Sequence, residues 1–434
     1  MKLTPEVLFA YGEDASLPNG IYVGSAQDEI AATGCTVILA PKGAICGLDV
    51  RGAAPATRES DLLLPQNMVQ QVHAIVLAGG SAYGLAAADG VMRFCEERNI
   101  GLSFANIVVP IVVGACLFDL GVGNGCVRPN AEMGYLASML ALDGLHGNQK
   151  ENEQDSEYES PCDSEHRHEQ DSKHESPCDS EHRHEQTNHQ MSEQSSKLEN
   201  KQERQKLKVG RVGAGCGASV GKLLGADYAM SGGLGACSVR VGKLLVSAIV
   251  AVNAVGNIVD TANERMLSGV INPNGDGKAI LAPLDAMLLA ANNASSQSLK
   301  AVKDCNDKDA CYDTNPSVNS CANAKNKANN KASDKTNDNS GANAHCENTT
   351  LGCIITNANV DKCAATRIAT MAHDGYARAI EPVHTSNDGD AIYCLSTCTT
   401  DAHPDFVGVL AARVMEGAIH NAVCDSVRLS AMAV

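Results

Sequence analysis

The chain has 434 residues, a formal net charge of −17 at pH 7 and no Trp. Such acidity argues against binding to nucleic acid or to an anionic membrane surface. The acidic residues are unevenly placed, because residues 151–208 hold sixteen of them against eight basic residues and so supply −8 of the total. The net charge is therefore largely a property of one segment and says little about a substrate.

The cysteines and the apolar runs bear on the compartment of the protein. Its eighteen Cys are scattered without the paired CxxC spacing of a zinc site, and residues 1–6 contain no apolar signal region. No apolar run approaches the roughly 18 residues that span a bilayer, and even Leu244–Val255 is broken by Ser247 and Asn253. We expect a cytoplasmic protein with reduced thiols and with no metal or cofactor.

Strands dominate the predicted amino-terminal part. The predicted elements are the strands Thr36–Ala40, Ala44–Val50, His73–Ala78 and Val108–Val113, and a helix over Leu85–Arg98. The sequence Pro41-Lys42-Gly43 predicts a turn between the first two strands. Pro110 cannot donate a backbone hydrogen bond, so it places the last of these strands at a sheet edge or a bulge.

A tandem repeat marks the segment 148–208. The sixteen residues 155–170 recur at 171–186 with differences at the third and fourth positions only. Two polar copies cannot bury a shared core, so we predict that this segment is disordered. Its imidazoles and thiols could bind a transition metal, but a flexible tract lacks supporting groups for such ligands, which favours a solvated segment. These residues are His166, His168, His182, His184, Cys162 and Cys178.

The carboxyl-terminal part alternates between strands and helices. The predicted elements are the strands Leu244–Asn253, Leu351–Thr356 and Ala391–Ser396, and helices over Cys363–Ile380 and Pro404–Val423. Residues 294–347, rich in Asn, Asp, Lys, Ser and Ala, are predicted to form a disordered linker. This order predicts a layered α/β fold in which residues 1–434 form a single catalytic domain with two inserts.

The peptide bond between Asn348 and Thr349 lies where the polar linker meets an apolar strand. Cleavage of this bond would give Thr349 both a hydroxyl and a free α-amine, which is a nucleophile with its own base. The junction therefore predicts self-cleavage into an α chain, residues 1–348, and a β chain, residues 349–434.

Asp388 and Asp390 directly precede the strand that begins at Ala391. In extended backbone, side chains at i and i+2 point to one face, and two carboxylates so close would raise the pKa of one of them. Such a pair is suited to handling protons. An ordinary Asn-Asp-Gly turn before a strand explains the same residues without any chemistry.

A glycine-rich segment, Val212–Lys222, resembles a phosphate-binding loop at first sight. Cys216 and Leu223 stand where that motif needs Gly and Ser or Thr, so its metal-binding hydroxyl is missing. The glycines are better explained by close backbone approach. Lys222 is then either a surface residue or a cation beside a reaction centre. Asn253, inside an apolar strand, is either a structural hydrogen-bonding group or an oxyanion donor.

Five motifs follow one another in the sequence outside the two inserts. They are Thr33–Leu39, Arg51–Glu59, Ala78–Leu85, Val212–Gly217 and Asn348–Gly352. Together they resemble the P1 family of self-processing peptidases, which comprises L-aminopeptidase/D-esterases, β-aminopeptidases and nylon-oligomer hydrolases. The resemblance covers nearly all of the chain outside the inserts.

This resemblance implies an αββα sandwich of the kind shared with ornithine acetyltransferases, cleaved so that the β chain begins with the nucleophile. Thr349 takes that position, and Asn253 matches the oxyanion-stabilising Asn of the family. Asp388 and Asp390 match the acidic pair of the nylon-hydrolase branch, and Lys222 falls within one residue of its active-site Lys. A small peptide or amide substrate and a homo-oligomer of αβ units are further implications.

The chain departs from the better-known aminopeptidases of this family. Those enzymes carry Ser and Glu where Asp388 and Asp390 stand. Many relatives have Lys where Ser231 stands, and some have an active-site Tyr where Phe118 stands. Because a Phe side chain cannot donate a hydrogen bond, any role of that hydroxyl in binding an oxyanion is lost here.

Three functions are compatible with the sequence. The first is an aminopeptidase-type hydrolase that acts through an acyl-Thr349 intermediate, with Thr350 as a rival nucleophile that does not follow Asn in the matching register. The second is an acyltransferase of the ornithine acetyltransferase type, which would pass the acyl group to an amine. The third is a non-catalytic scaffold with metal-binding inserts.

Overall fold

The computed structural model describes residues 7–143, 206–275, 277, 279–293 and 348–424. The strands of the amino-terminal part are β1 Val7–Tyr11, β2 Tyr22–Asp28, β3 Thr33–Val50, β4 Thr57–Arg58, β5 Gln71–Ala78, β6 Leu102–Phe104, β7 Ile107–Val109 and β8 Val112–Cys116. The helices of this part are α1 Ala87–Glu97 and α2 Ala131–Asp143. The predicted helix over Leu85–Arg98 is thus confirmed with a later start, because residues Ser81–Ala86 form a 3₁₀ turn.

The carboxyl-terminal part follows the predicted order of elements. Its strands are β9 Ser219–Val220, β10 Met230–Ser231, β11 Gly233–Val241, β12 Leu244–Val252, β13 Asn257–Asp260, β14 Arg265–Ser268, β15 Leu351–Ala358, β16 Ile380–Glu381 and β17 Ala391–Thr400. Its helices are α3 at 283–293, α4 Lys362–Ala379 and α5 Pro404–Val423. Asp361 begins α4 by accepting a hydrogen bond from the Ala364 N–H, and Pro404 begins α5 at a position where no N–H is needed.

Ten strands form one continuous sheet in the order β1-β11-β12-β15-β17-β3-β5-β8-β4, with β2 paired to β3. At its centre β15 runs parallel to β17 and antiparallel to β12, while β17 runs antiparallel to β3. β15 is buried along almost its whole length. Its nearly unbroken apolar sequence is what a strand covered on both faces requires.

Three apolar clusters divide the molecule into four layers. One cluster joins α4 and α5 to the outer face of β11, β12, β15 and β17, and another joins α1 and α2 to β2, β3, β5 and β8. The third lies between the two halves of the sheet, where Leu351 and Tyr393 pack with Ile75 and Leu77. Because side chains alternate along a strand, each half of the sheet supplies residues to two clusters. The predicted αββα sandwich is confirmed.

The prediction of a turn at Pro41-Lys42-Gly43 is wrong, because these residues lie inside β3, which is a single strand of eighteen residues. The first half of β3 pairs with β2 and β5, and the second half pairs with β17. Its register on β5 shifts between Leu39 and Ala44, and Gly43 adopts a φ of +76° that glycine tolerates without steric cost. The strand therefore bulges and carries the sheet from one layer of the sandwich into the other.

The strand predicted over Val108–Val113 is divided at Pro110 into β7 and β8. β7 forms a small hairpin with β6, whereas β8 pairs with β5 in the main sheet. Proline lacks the N–H that a continuous ladder would need. The prediction for Pro110 was a sheet edge or a bulge. In the structure, Pro110 separates strands of two different sheets.

The two segments predicted to be disordered lie outside the described residues, apart from residues 206–208. Leu207 is buried in the cluster between the sheet halves, so the predicted boundary at 208 is too late. None of the helices in the described part of the chain combines the length and the apolarity that crossing a bilayer needs.

Lys362, the first residue of α4, offers a test of the packing at the amino end of that helix. Its Nζ is buried and donates to the carbonyl oxygens of Leu62, Asn67 and Val69 at 2.9, 3.1 and 3.0 Å. Lys362→Met would leave these carbonyls without their donor, so we expect the free energy of unfolding to fall by about 2–4 kcal/mol. Urea denaturation measures this change. The exposed Lys243→Met is the control, expected within about 0.5 kcal/mol of the original chain.

Candidate active site

Four strand ends meet at one point of the central sheet. β15 and β17 begin there, and β12 and β3 end there because they run antiparallel to them. Thr349 lies just before β15, Asn253 just after β12, and Asp388 and Asp390 just before β17. These four side chains and Lys222 are all buried. The structure therefore brings together the five residues singled out from the sequence.

The peptide bond between Asn348 and Thr349 is held within this cluster. The Thr349 N–H donates to the carbonyl oxygen of Asn253 at 3.0 Å. The Thr349 hydroxyl donates to the carbonyl oxygen of Asn348 at 2.5 Å, and the same oxygen accepts the N–H of Gly389 at 2.9 Å. A backbone donor thus polarises the carbonyl group that the Thr349 hydroxyl touches.

The amide of Asn253 is fixed in one orientation by three neighbours. Its Oδ1 accepts hydrogen bonds from Lys222 Nζ at 2.8 Å and from the Ser219 N–H at 3.0 Å. Its Nδ2 donates to the carbonyl oxygen of Phe118 at 2.8 Å. An amide nitrogen carries two hydrogens, so one Nδ2 hydrogen can still donate to an oxyanion.

Lys222 is a buried cation, so the surface position considered from the sequence is wrong. It follows the glycine-rich segment, and the glycines there do permit close backbone approach. A Cβ on Gly217 would lie 1.9 Å from the carbonyl oxygen of Ala32, and one on Gly221 would lie 2.1 Å from the carbonyl carbon of Gly269. This packing sets Lys222 beside the end of β12.

Asp388 lies in a tight turn, where its Oδ2 accepts the Thr385 N–H at 2.6 Å and its own N–H donates to the Thr385 carbonyl. This turn runs from Thr385 to Asp388, so it lies just before the Asn-Asp-Gly turn considered from the sequence. Burial, and after it the charge of Asp390, raises the pKa of Asp388 to about 6, while Lys222 acts in the opposite direction. The raised pKa expected from like charges thus occurs, although burial is its main cause. This carboxyl group can exchange a proton near neutral pH.

Asp390 makes a different set of contacts. Its Oδ1 accepts the Thr350 N–H at 2.7 Å, and its Oδ2 lies 2.8 Å from Nδ1 of His384. Within the described residues no hydrogen bond joins either carboxylate to Thr349. Asp390 therefore reaches Thr349 only through the neighbouring peptide unit.

Thr350, Phe118 and Ser231 each have different surroundings in the structure. The Thr350 hydroxyl is fully buried and has no hydrogen-bond partner among the described residues. Only the Thr349 hydroxyl contacts the carbonyl of the preceding residue. Phe118 contributes its carbonyl oxygen to Asn253, and the exposed Ser231 pairs with Ser219 across β9 and β10.

Gly389 and Asp119 lie near the site and, like His384, were not identified from the sequence. Gly389 contributes a backbone N–H, which no side-chain pattern reveals, and a Cβ at this position would lie 2.7 Å from Thr349 Oγ1. Asp119 accepts hydrogen bonds from Thr33 Oγ1 and from the Gly80 N–H, and burial raises its pKa. Asp119 adjoins Phe118 in the chain, but its partners are distant in sequence.

A metal centre is not apparent in the described residues, where no group of three or more His, Cys, Asp or Glu side chains could hold an ion. The His and Cys residues of the repeat lie outside the part of the chain that the structure describes.

Comparisons with known proteins show the family that the chain resembles. The model of peptidase family S58 matches residues 19–132 and 178–433. An uncharacterized aminopeptidase of Mycobacterium leprae is 32% identical over 373 residues, which span 86% of this chain and 72% of that protein. A 6-aminohexanoate-oligomer endohydrolase of a Kocuria species is 24% identical over 383 residues, which span 88% of this chain and 74% of that protein.

A solved structure has a similar fold. The β-aminopeptidase of a Burkholderia species matches with a TM-score of 0.50 at 15% identity, over 96% of this chain and 88% of that one. At this level of identity the match concerns the fold alone, and it agrees with the αββα sandwich. The match to the S58 family model and the 32% identity to an aminopeptidase confirm the family resemblance noted in the sequence.

The raised pKa of Asp388 predicts a pH-dependent cost to stability. The folded protein holds this proton up to about pH 6, whereas an unfolded chain releases it near pH 4, so the group lowers stability as pH rises through this window. Asp388→Asn removes the buried charge and should raise the free energy of unfolding at pH 8 by about 1–3 kcal/mol, with little change at pH 4.

Urea denaturation at the two pH values measures this effect. Both proteins should carry Thr349→Val, so that any self-cleavage does not alter one of them. Asp374→Asn, which replaces an exposed carboxylate, is the matched control. An Asp388→Asn gain that is equal at pH 4 and pH 8 would contradict the raised pKa.

Proposed function

Because the chain belongs to peptidase family S58, we propose that it is a self-processing N-terminal-nucleophile hydrolase of the aminopeptidase type. In this proposal Thr349 is the nucleophile, and small peptides, amides or esters are cleaved through an acyl-Thr349 intermediate. The observation that carries the proposal is the contact between the Thr349 hydroxyl and the Asn348 carbonyl, whose oxygen also accepts the Gly389 N–H.

Self-cleavage begins with attack of Thr349 Oγ1 on the carbonyl carbon of Asn348. The negative charge that develops on the carbonyl oxygen is stabilised by the Gly389 N–H, which already donates to that oxygen. The hydroxyl proton passes to the Thr349 nitrogen as the C–N bond breaks, which leaves an ester between Asn348 and Thr349. Water then hydrolyses the ester to give the Asn348 carboxylate and a free Thr349 hydroxyl.

Asp388 is suited to assist the proton transfer. Its pKa of about 6 means that it is largely ionised at neutral pH yet basic enough to accept a proton. Gly389, the next residue, packs against the Thr349 hydroxyl. Asp388 therefore acts in this proposal as the group that exchanges protons with Thr349 through one water.

In the mature enzyme the new α-amine of Thr349 accepts the proton of its own hydroxyl. Its ordinary pKa near 7.7–8.0 makes this transfer feasible at neutral pH. Asn253 retains its contact to the Thr349 nitrogen through its carbonyl and offers the remaining Nδ2 hydrogen to the tetrahedral oxyanion. Lys222 holds that amide in place and balances negative charge.

The substrate class follows from this arrangement and from the relatives. The relatives are named as an aminopeptidase and as a 6-aminohexanoate-oligomer endohydrolase, and amino acids or 6-aminohexanoate units are joined through amide bonds. We propose a small peptide or amide substrate, no nucleic-acid or membrane partner, and a cytoplasmic homo-oligomer of αβ units. Aminoacyl amides, β-peptides and 6-aminohexanoate oligomers form the panel that identifies the preferred bond, with acetyl-ornithine and a free amine added to detect acyl transfer.

Replacement of the Thr349 hydroxyl tests the whole proposal. Thr349→Val keeps the branched shape but removes the nucleophile, so the chain should remain at full length and hydrolysis should fall by at least about 1,000-fold. Intact mass spectrometry follows the first effect, and product analysis follows the second.

Thr350→Val is the matched control, since it removes a neighbouring hydroxyl that contacts no carbonyl in the described structure. It should still yield chains of residues 1–348 and 349–434. A stable, full-length original protein that hydrolyses the substrate would refute self-processing.

A further inference from the structure

His384 lies next to the site, and the mechanism above gives it no role. Its Nδ1 lies 2.8 Å from Asp390 Oδ2, and its backbone N–H donates to the same oxygen at 3.3 Å. The same Asp390 oxygen already accepts the backbone N–H of His384, so we take the Nδ1 atom as the donor of this contact too. Two donors from one residue thus hold one oxygen of Asp390.

The other oxygen of Asp390 connects this pair to the nucleophile. Asp390 Oδ1 accepts the Thr350 N–H at 2.7 Å, and the Tyr376 hydroxyl donates to the Thr350 carbonyl oxygen at 3.2 Å. Both sides of the Thr350 backbone are therefore fixed. Since Thr349 is joined to Thr350 by one peptide bond, the position of Asp390 sets the position of the nucleophile.

The imidazole ring of His384 is itself held on two sides. It stacks on the Tyr376 ring, with centroids 5.9 Å apart and an interplanar angle of 29°. It meets the His373 ring edge to face, with centroids 4.8 Å apart. Its backbone φ of +56° is uncommon in residues other than glycine, although His, like Asn and Asp, adopts it more often than most. These constraints direct Nδ1 at Asp390.

Among the groups around the ring, Asp390 is the hydrogen-bond partner of the His384 side chain. His373 is fully buried, and burial lowers its pKa to about 4, so it is neutral at physiological pH. Its Nε2 contacts the carbonyl oxygen of Asp49, which pairs with Arg51. Within the described residues, Nε2 of His384 and Nδ1 of His373 have no hydrogen-bond partner. Among the described residues, Tyr376 stacks on the ring, and Asp388 interacts with the charge of Asp390.

We propose that His384 is a positioning residue, which acts through Asp390 to hold Thr350, and so the Thr349 nucleophile, in place for attack. The proposal rests on the proposed function of Thr349. The structure assigns the role to the Nδ1 donor of the imidazole and not to the volume of the ring.

Two substitutions separate the donor from the ring. His384→Asn places an amide N–H close to the position of Nδ1 and suits a positive φ, but it removes the ring. His384→Phe keeps an aromatic ring for stacking on Tyr376 but has no donor. His403→Asn is the matched control, because His403 lies beside Asp405 in an exposed pair, with its Nδ1 3.8 Å from a carboxylate oxygen.

The rate of self-cleavage is measured by intact mass on freshly synthesised full-length chains, and kcat and KM are measured on whatever mature enzyme forms. His384→Phe should slow cleavage and lower kcat by about 10-fold to 100-fold, with little change in KM, because one hydrogen bond to a charged group is lost. His384→Asn should stay within about threefold of the original protein. His403→Asn should leave both rates unchanged.

The opposite order of effects would overturn the proposal. Normal rates in His384→Phe with slow rates in His384→Asn would show that the ring packs and nothing more. Equal loss in both variants would do the same, since the retained donor would have restored nothing. Melting temperatures measured beside the rates identify any loss that comes from unfolding.

Thr349→Val, measured in the same series, distinguishes failure of the positioning role from failure of the proposed function. If Thr349→Val blocks cleavage while both His384 variants cleave at the original rate, only the positioning role fails. If Thr349→Val still cleaves, the proposed function itself fails.

Discussion

The backbone hydrogen bonds around the Asn348-Thr349 peptide bond are the constraint on which the site depends. One face of this unit is held by the carbonyl of Asn253 and the other by the N–H of Gly389, so the bond is part of the sheet where β12, β15 and β17 meet. Strand backbone cannot shift without breaking its ladder. The fold that buries the two apolar faces of β15 therefore also fixes the hydroxyl of Thr349 against the carbonyl it touches.

Around that bond, the protein buries charged groups that an apolar core would exclude. Lys222, Asp388 and Asp390 are each almost fully buried, and each is satisfied by backbone or amide partners. Desolvation costs stability, and the raised pKa of Asp388 is one expression of that cost. It also gives a carboxylate the basicity that proton transfer needs. In the proposed mechanism, the same burial thus sets both stability and reactivity.

The sequence revealed those residues of the site that are polar but stand at the ends of apolar strands. Asn253 at the end of an apolar strand and Thr349 at the start of another are examples, and periodicity located both strands. The course of β3 was not predictable, because Pro41-Lys42-Gly43 has turn composition and its bulge depends on pairing with distant strands. Nor could the site contacts of Gly389 and His384 be predicted, since one uses a backbone N–H and the other depends on a positive φ.

The position of β15 and β17 in the sheet has a consequence for the order of folding and cleavage. Both strands follow Thr349, yet they lie between β12 and β3, which precede it. A chain cut before Thr349 would leave two polypeptides that share one hydrogen-bonded ladder and one set of apolar clusters. Neither piece has a complete core alone, so separation would require unfolding of both. If the chain is cut as proposed, it must therefore fold as one polypeptide before the cut is made.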